Sequence, residues 1–566
     1  MGLVFVALMT DPVEATIRKY ALQNAVFFKG TANPKSVVGK VLGECPELRS
    51  RSAEIMPLID RIVAEINKMG LDAQTKELQM SDPNLMVKEK KERTYELPPL
   101  DGVENGVVMR IAPGPSGPLH LGHSRVSVLN DEYVKRYNGK LINRFEDTNP
   151  EKIAPEAYDM IPEDLEWLGV KVHETVIQSD RFELYYDITR KLIEAGNAYV
   201  CTCNADLWRE LKENMEPCPC RNLPKETQLD RYDRLMSNGY KEGEAIAVVK
   251  TDLRHPNPAI RDFVALRIVD HPHPRVGTKY NIYPMMNLSV AVDDHLMGMT
   301  HVIRGKDHLN NTFRQEYIYD HMGWKKPHFY HYGLVSIPES ILKTSIIKQG
   351  IKEGSYTGWD DVRTGTLRAM KKRGIRPEAI RRYWIESGMK QIDIQFTWDT
   401  LYAMNRDVID DKANRYFFVP DPVRFDITGI DAVTGKAPLH PDHPERGTRD
   451  YLLKGNLNVS ISAQDAENFK EKGMVRLKDL CNIEYGKPAR YAGTDLSVLK
   501  KGVRAVQWVS GGIPTKVQMP DGTVADGLSE GGILREGEEM VQFERFGFVR
   551  IESKDKGSIS AVFAHR

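Results

Sequence analysis

In 566 residues, 79 Lys and Arg balance 79 Asp and Glu, so the formal net charge is zero. A protein that gripped nucleic acid by bulk charge would be strongly basic, so any such contact must come from local patches. Hydrophobic residues at 41% exclude a disordered chain, the length predicts roughly four domains, and no apolar run approaches the ~18 residues of a membrane span.

The N-terminus, MGLVFVAL, has no basic region and no small-residue cleavage site, so a signal peptide is rejected. Val6 stands where myristoylation needs Ser or Thr. The ordinary reading is a first strand or a frayed end, with Met9 a second candidate start. A helical extension is predicted over 1–95. Leu58, Ile59, Ile62, Val63, Ile66 and Met69 fall on one face at helical spacing, and the Lys- and Glu-rich Ser81–Arg93 reads as a linker. Gly106–Ile111 is a buried strand that opens a new domain. From there to about 335, strand-like and helix-like runs alternate, the pattern of a parallel α/β sheet, with helices at 155–168 and 181–196. Residues 200–290 are irregular and read as an insertion, 336–425 as helical. Over 426–566 short Val, Ile and Phe runs broken by Pro520-Asp521-Gly522 and Gly511-Gly512 predict all-β barrels.

Six cysteines make no disulfide framework. Cys45 and Cys481 are isolated, while Cys201, Cys203, Cys218 and Cys220 form two tight pairs. Two thiolate pairs closing on one tetrahedral ion is the arrangement of a structural Zn²⁺; four free thiols in a small core is the other reading. Either fits a reduced, cytoplasmic compartment.

The most informative stretch is Arg110–Ser124, RIAPGPSGPLHLGHS, which follows a strand and opens a helical run. Gly122 would let a nucleotide approach the backbone, and a helix N-terminus offers free N–H groups and positive dipole. His120 and His123 can both donate to one phosphate chain, stabilising charge on a pentavalent phosphorus.

This stretch resembles the first signature of class I aminoacyl-tRNA synthetases, with the flanks of the glutamyl/glutaminyl branch. Arg144–Pro150, Val290–His308 and Gly365–Ile380 resemble further segments of that family, in the right order, and the β tail resembles its archaeal and eukaryotic type. The resemblance covers about 105–425. It implies a Rossmann-like catalytic domain over 100–200 and 290–335, an acceptor-end insertion over 200–290, a helical region with a mobile loop over 336–425 and anticodon reading by 426–566. It implies L-glutamate, ATP with Mg²⁺ and tRNA as substrates, and no membrane partner.

By the same resemblance Arg110, Ala112, Glu146 and Arg304 fall at amino-acid-binding positions, with Arg110 first for the γ-carboxylate and Glu146 for the α-ammonium group. His120, Gly122 and His123 serve ATP. The Val302–His308 pattern favours glutamate over glutamine. The tyrosine many relatives carry in the pocket aligns with Met286, and whether Tyr283 replaces it stays open. The second signature is degenerate: Ile341–Ser345 is its best match, with Lys343 or Lys348 to supply charge and Ser345 a hydroxyl. Arg368, Lys371, Lys372 and Arg373 form a basic run suited to tRNA phosphates. A glutaminyl enzyme and an inactive tRNA-binding paralogue are the rival readings. Charging of glutamine tRNA as well, with an amidotransferase downstream, is left open.

Overall fold

The computed structural model describes residues 12–45, 48, 52–86, 96–455, 457–555 and 557–566. They fall into two units, Met1–Thr94 and Tyr95–Arg566. The expectations for the first strand and for Met9 lie outside the described residues.

The first unit is helical: α1 (Pro12–Phe27), α2 (Pro34–Glu44), α3 (Ser52–Asn67) and α4 (Leu71–Ser81). Ile59, Ile62, Val63 and Ile66 of α3 are buried in one cluster with Ile17, Ala21 and Leu22 of α1, as their three- and four-residue spacing requires. Asn33 starts α2 by accepting the amide hydrogen of Lys35 at 2.9 Å. Pro34 follows at a position where its missing N–H costs nothing. Ser81, expected to open the linker, is instead the last residue of α4; residues 87–93 of that stretch lie outside the described residues.

The second unit opens with β1 (Val108–Ile111), α5 (Leu121–Arg136), β2 (Lys140–Phe145), α6 (Ala157–Trp167) and β3 (Glu174–Ile177). β1 pairs with β2 and β2 with β3, both in parallel. Parallel neighbours need a crossover, and α5 and α6 supply it. At the turn from α5 into β2 a Cβ on Gly139 would stand 2.3 Å from the Val107 carbonyl oxygen, so the close return of the chain requires glycine.

After α7 (Phe182–Glu194) comes the insertion: β4 (Ala198–Cys201), α8 (Ala205–Glu213), α9 (Lys225–Met236), β5 (Ile246–Val249), β6 (Phe263–Ile268) and β7 (Ile282–Pro284). Its four strands form an antiparallel sheet in chain order. The chain returns through α10 (Met286–Leu296) to β8 (His301–Gly305), α11 (Leu309–Met322) and β9 (His328–Tyr332), with β8 and β9 parallel. Thr300, just before β8, joins it to β1: the Val108 amide donates to Thr300 Oγ1 at 2.8 Å and the Thr300 amide to the Val108 carbonyl at 3.0 Å. The spatial order is β3-β2-β1-β8-β9, and its direction reverses at β1. In open parallel sheets ligands bind in the crevice at the carboxyl ends of the strands beside such a reversal.

Helices α12 (Thr344–Lys352), α13 (Leu367–Arg373), α14 (Pro377–Ser387) and α15 (Trp398–Ile409) follow. Strands resume at Asn414–Tyr416, before the expected boundary at 426. That strand pairs with Met540–Phe543, and Phe418–Pro420 pairs with Val524–Ser529. These partners lie far on in the chain, so no local pattern marks the start. The region also holds a helix, Ala463–Lys472, which Ser462 caps by accepting the Asp465 amide hydrogen at 3.1 Å.

Candidate active site

β1 ends at Ile111, and the chain turns through Ala112–Leu119 into α5. His120 caps that helix with its imidazole: Nδ1 accepts the amide hydrogens of Gly122 at 3.0 Å and of His123 at 3.4 Å. An accepting Nδ1 leaves the proton on Nε2. The ring stacks on His123, centroids 3.7 Å apart. Burial, then the neighbouring His123, holds His120 down to about 2, and burial holds His123 down to about 4. Both are neutral near pH 7, so each offers an N–H without a full charge. Gly122 has a structural task at this turn. A Cβ there would lie 2.9 Å from His120 Cε1, so glycine makes room for the capping ring.

A cavity of about 380 Å³ opens beside this turn. Arg110, Ala112, Glu146, Arg304, His120, Gly122 and His123 all line it, so β1, β8, the turn after β2 and the start of α5 converge there. Met286 lines it too. Tyr283 does not replace the missing tyrosine. It is fully buried, and its hydroxyl donates toward the His271 and Tyr280 carbonyls at 3.2 and 3.3 Å.

Arg110 and Arg304, two of the three arginines that line the cavity, differ in their partners. Arg110 Nε and Nη2 donate to Asp294 of α10, each at 3.2 Å, and Arg144 Nη1 donates to the same carboxylate at 2.6 Å. Burial pushes Asp294 up, but Arg110 and Arg144 outweigh it and hold the carboxyl down to about 2. Arg304 Nη2 donates to Thr312 Oγ1 at 2.5 Å and Gln315 Oε1 at 2.9 Å. Its Nε finds no acceptor, and among the described residues no carboxylate forms an ion pair with it. Burial, then repulsion from Arg110, pushes it down to about 9. A buried guanidinium short of negative charge demands an anion, and here that demand falls on Arg304 more than on Arg110.

Glu146 sits in the turn after β2, which its amide pins to the Pro113 carbonyl at 3.0 Å. Burial pushes its carboxyl up to about 7 against the pull of Arg144, Arg110 and Arg304. A ligand cation beside it would favour the ionised form. The sequence reading missed the acidic pair on α10. Asp294 fixes Arg110, and Asp293 takes Arg181 at 2.8 Å, Gln178 at 2.9 Å and Tyr185 at 2.6 Å. The signal for it was two adjacent aspartates closing the apolar run Val290–Val292, since charge is rarely buried without a partner.

Lys343, Ser345 and Lys348 are exposed, and none lines the cavity. Lys343 precedes the first turn of α12, and Thr344 Oγ1 lies 3.2 Å from Ser116 Oγ of the turn before α5. That hydroxyl pair is where the two signature segments meet.

The basic run is largely engaged within the protein. Arg368 donates to Glu163 and Lys372 to Asp360 at 3.1 Å. The assignment of Arg373 to tRNA is corrected. It is 4% exposed and donates to the Tyr402 hydroxyl at 2.8 Å and the Ala564 carbonyl at 3.0 Å. Helical spacing puts it on the buried face of α13 with Ala369 and Met370. Lys371 is exposed.

The cysteine sulfurs lie where β4 ends and the segment after α8 returns. Cys201 and Cys218 are 3.7 Å apart, as are Cys203 and Cys220. Edges of roughly 3.8 Å are those of a tetrahedron of sulfurs ~2.3 Å from zinc. Cys201, Cys203 and Cys218 lie within 4.8 Å of one another. Cys220 is turned toward Arg231 Nη1, at 3.1 Å. The thiols cluster closely enough for a metal ion to be held there, and soft sulfur donors suit zinc.

A family model described as tRNA synthetases class I (E and Q), catalytic domain, matches residues 106–411, the span from β1 through α15. The anti-codon binding domain of the same family matches 413–498. The chain belongs to the class I tRNA synthetases of the E and Q type. Its relatives include a glutamate–tRNA ligase of Methanocaldococcus jannaschii, 48% identical over 98% of this chain and 100% of its own. The glutamate–tRNA ligase of Pyrococcus abyssi is also 48% identical, with the same two coverages. That of Thermoplasma acidophilum is 50% identical over 86% of this chain and 88% of its own.

Proposed function

We propose that the protein is an archaeal-type glutamate–tRNA ligase. It joins L-glutamate to ATP, with Mg²⁺, giving glutamyl-adenylate and pyrophosphate, and then passes the glutamyl group to the 3′ end of tRNA. One observation carries the choice of amino acid: Arg304 is buried at the cavity and, among the described residues, no carboxylate forms an ion pair with it. Together with the free Nη1 side of Arg110 it offers a planar cationic wall to a γ-carboxylate. A glutamine amide would leave that charge unanswered.

Glu146 takes the α-ammonium group, and binding draws it into its ionised form. Ala112 presents a small wall at the end of β1. The α-carboxylate attacks the α-phosphorus and pyrophosphate leaves. His120 and His123 donate N–H to the phosphate oxygens, where charge grows in the transition state. Lys343, Ser345 and Lys348, on the segment that meets the Ser116 turn, offer charge and a hydroxyl to the departing pyrophosphate. A ribose hydroxyl of the tRNA terminus then attacks the acyl carbon, and AMP leaves. No protein group forms a covalent intermediate; the site acts by positioning and charge stabilisation.

The four cysteines would hold a zinc ion that ties the end of β4 to the segment after α8 and takes no part in the chemistry. Lys371 is the member of the basic run best placed for tRNA phosphate. The reading places the enzyme in the cytoplasm, and among the described residues no helix is long and apolar enough to cross a membrane.

The test is aminoacylation with labelled glutamate or glutamine against separate glutamate and glutamine tRNA transcripts. Glutamate on its own tRNA supports the proposal. Glutamate on both tRNAs extends it to a non-discriminating enzyme whose second product an amidotransferase would finish. Glutamine charging, or no charging by a folded, zinc-loaded sample, overturns it.

A further inference from the structure

We propose that Asp164 and Arg368 are positioning residues for ATP, which set the His120 imidazole by holding the backbone one residue before it. The proposal rests on the reading that His120 faces ATP.

Asp164 lies on α6 and is 4% exposed. Its Oδ2 accepts the amide hydrogen of Leu119 at 2.8 Å. Arg368 Nε stands 3.3 Å from its Oδ1, and Arg368 Nη2 is anchored on Glu163 and on the Met160 carbonyl at 3.4 Å. The other side of the same backbone is held as well. The Leu119 carbonyl accepts the Leu367 amide hydrogen at 2.8 Å, and the Leu121 amide donates to the Gly365 carbonyl at 3.0 Å. Between them Thr366 caps α13, accepting the Ala369 amide hydrogen at 3.0 Å and donating to the Trp359 carbonyl at 2.6 Å. The residues before and after His120 are thus clamped by α6 on one side and the start of α13 on the other.

The chemistry of the clamp points to a task beyond stability. A neutral acceptor would satisfy one backbone N–H, and a partly exposed ion pair in which Arg368 Nε makes no hydrogen bond adds little net stability. Burial disfavours the ionised Asp164 carboxyl, while the Leu119 amide and Arg368 favour it; when ionised it makes a shorter, stronger bond to the N–H than a neutral acceptor does, at the residue that sets the ring. His120 has little freedom of its own, because its Nδ1 is fixed by the Gly122 amide. Its Nε2–H therefore points wherever the Leu119–Leu121 backbone directs it. Arg368, expected to bind tRNA phosphate, serves this clamp.

The test uses the full chain carrying Asp164→Ala, Asp164→Asn or Arg368→Ala. KM for ATP and for glutamate is measured by aminoacylation, affinity for a non-hydrolysable ATP analogue by calorimetry, and folding by thermal melting. Asp164→Ala should weaken ATP about tenfold, the effect of one lost bond to a charged group. KM for glutamate should stay within about twofold. Asp164→Asn keeps an amide oxygen able to accept from Leu119 and should recover most of the loss. Unchanged ATP affinity, a parallel rise in both KM values, or equal effects of Asn and Ala would overturn the proposal. Should Asp164→Ala not fold, Arg368→Ala is read in the same way. The calorimetry reads the clamp even in a sample that charges no tRNA, so failure of the clamp and failure of the ligase reading are distinguishable.

Discussion

His120 Nδ1 and the Gly122 amide, 3.0 Å apart, form the cap from which α5 starts. The bond ties a helix end, a tautomer and the aim of the Nε2–H to one side chain. Gly122→Ala tests it. Alanine should favour the helix by ~0.5–1 kcal/mol, but its Cβ would push the imidazole aside. The expected outcome is an unchanged or raised melting temperature with kcat/KM for ATP down about a hundredfold, the size of one lost transition-state donor. A loss of activity that tracks unfolding would point to a structural glycine instead.

Arg304→Met separates charge from shape. The variant removes a buried guanidinium that pairs with no carboxylate among the described residues, so stability should hold or rise. The kcat/KM for glutamate should fall by about a hundredfold or more, since a charge-assisted, planar recognition is lost. Steady-state kinetics beside a melting curve shows both effects, and an undiminished use of glutamate would shift the anion-binding role to Arg110.

Glu146 gives a pH dependence of definite sign. Its carboxyl is pushed up to about 7 by burial, so below that pH the free enzyme carries it protonated and poorly suited to an ammonium group. KM for glutamate should rise as pH falls from 8 to about 6, and the rise should vanish in Glu146→Gln. Asp164, also pushed up to about 7 by burial, titrates in the same range. It faces Leu119, so its effect belongs to ATP, and the KM for glutamate is the diagnostic quantity.

Metal analysis of the purified protein should give about one zinc per chain, as a closed thiolate site holds one ion. Cys218→Ser should lose it and loosen α8 and the segment after it, seen as faster amide exchange from about 201 to 220. The hydrophobic cluster of the insertion around Phe182, Tyr232 and Leu266 should stay protected. A fully folded, zinc-free wild type would make the four cysteines a small thiol core.

Arg373→Ala and Lys371→Ala should part company. Arg373 binds Tyr402 and Ala564 from a buried position, so its loss should cost roughly 2–4 kcal/mol of stability without altering the salt dependence of tRNA affinity. Lys371 is exposed, and its removal should leave stability alone while lowering the salt slope by about one. Denaturant melts and tRNA binding across a salt series measure both.

Local order alone determined much of this protein. The spacing of Ile59, Ile62, Val63 and Ile66 specified a buried helix face, the alternation after residue 106 specified a parallel sheet, and the His-Leu-Gly-His turn was legible as a helix start because capping is decided within three residues. The cysteine pairs were visible for the same reason. Only the tertiary structure decided the rest, because charge balance is settled between distant elements. Arg110 and Arg304 look alike in sequence, yet Asp294 of α10 reaches one and not the other. The basic run from Arg368 to Arg373 reads as one stripe until packing buries Arg373 and turns Arg368 onto α6. The β region begins at Asn414 because strands from the far end of the chain pair with it there. Periodicity tells which face of an element is buried; which partner answers a buried charge, or completes a strand, depends on the path of the whole chain.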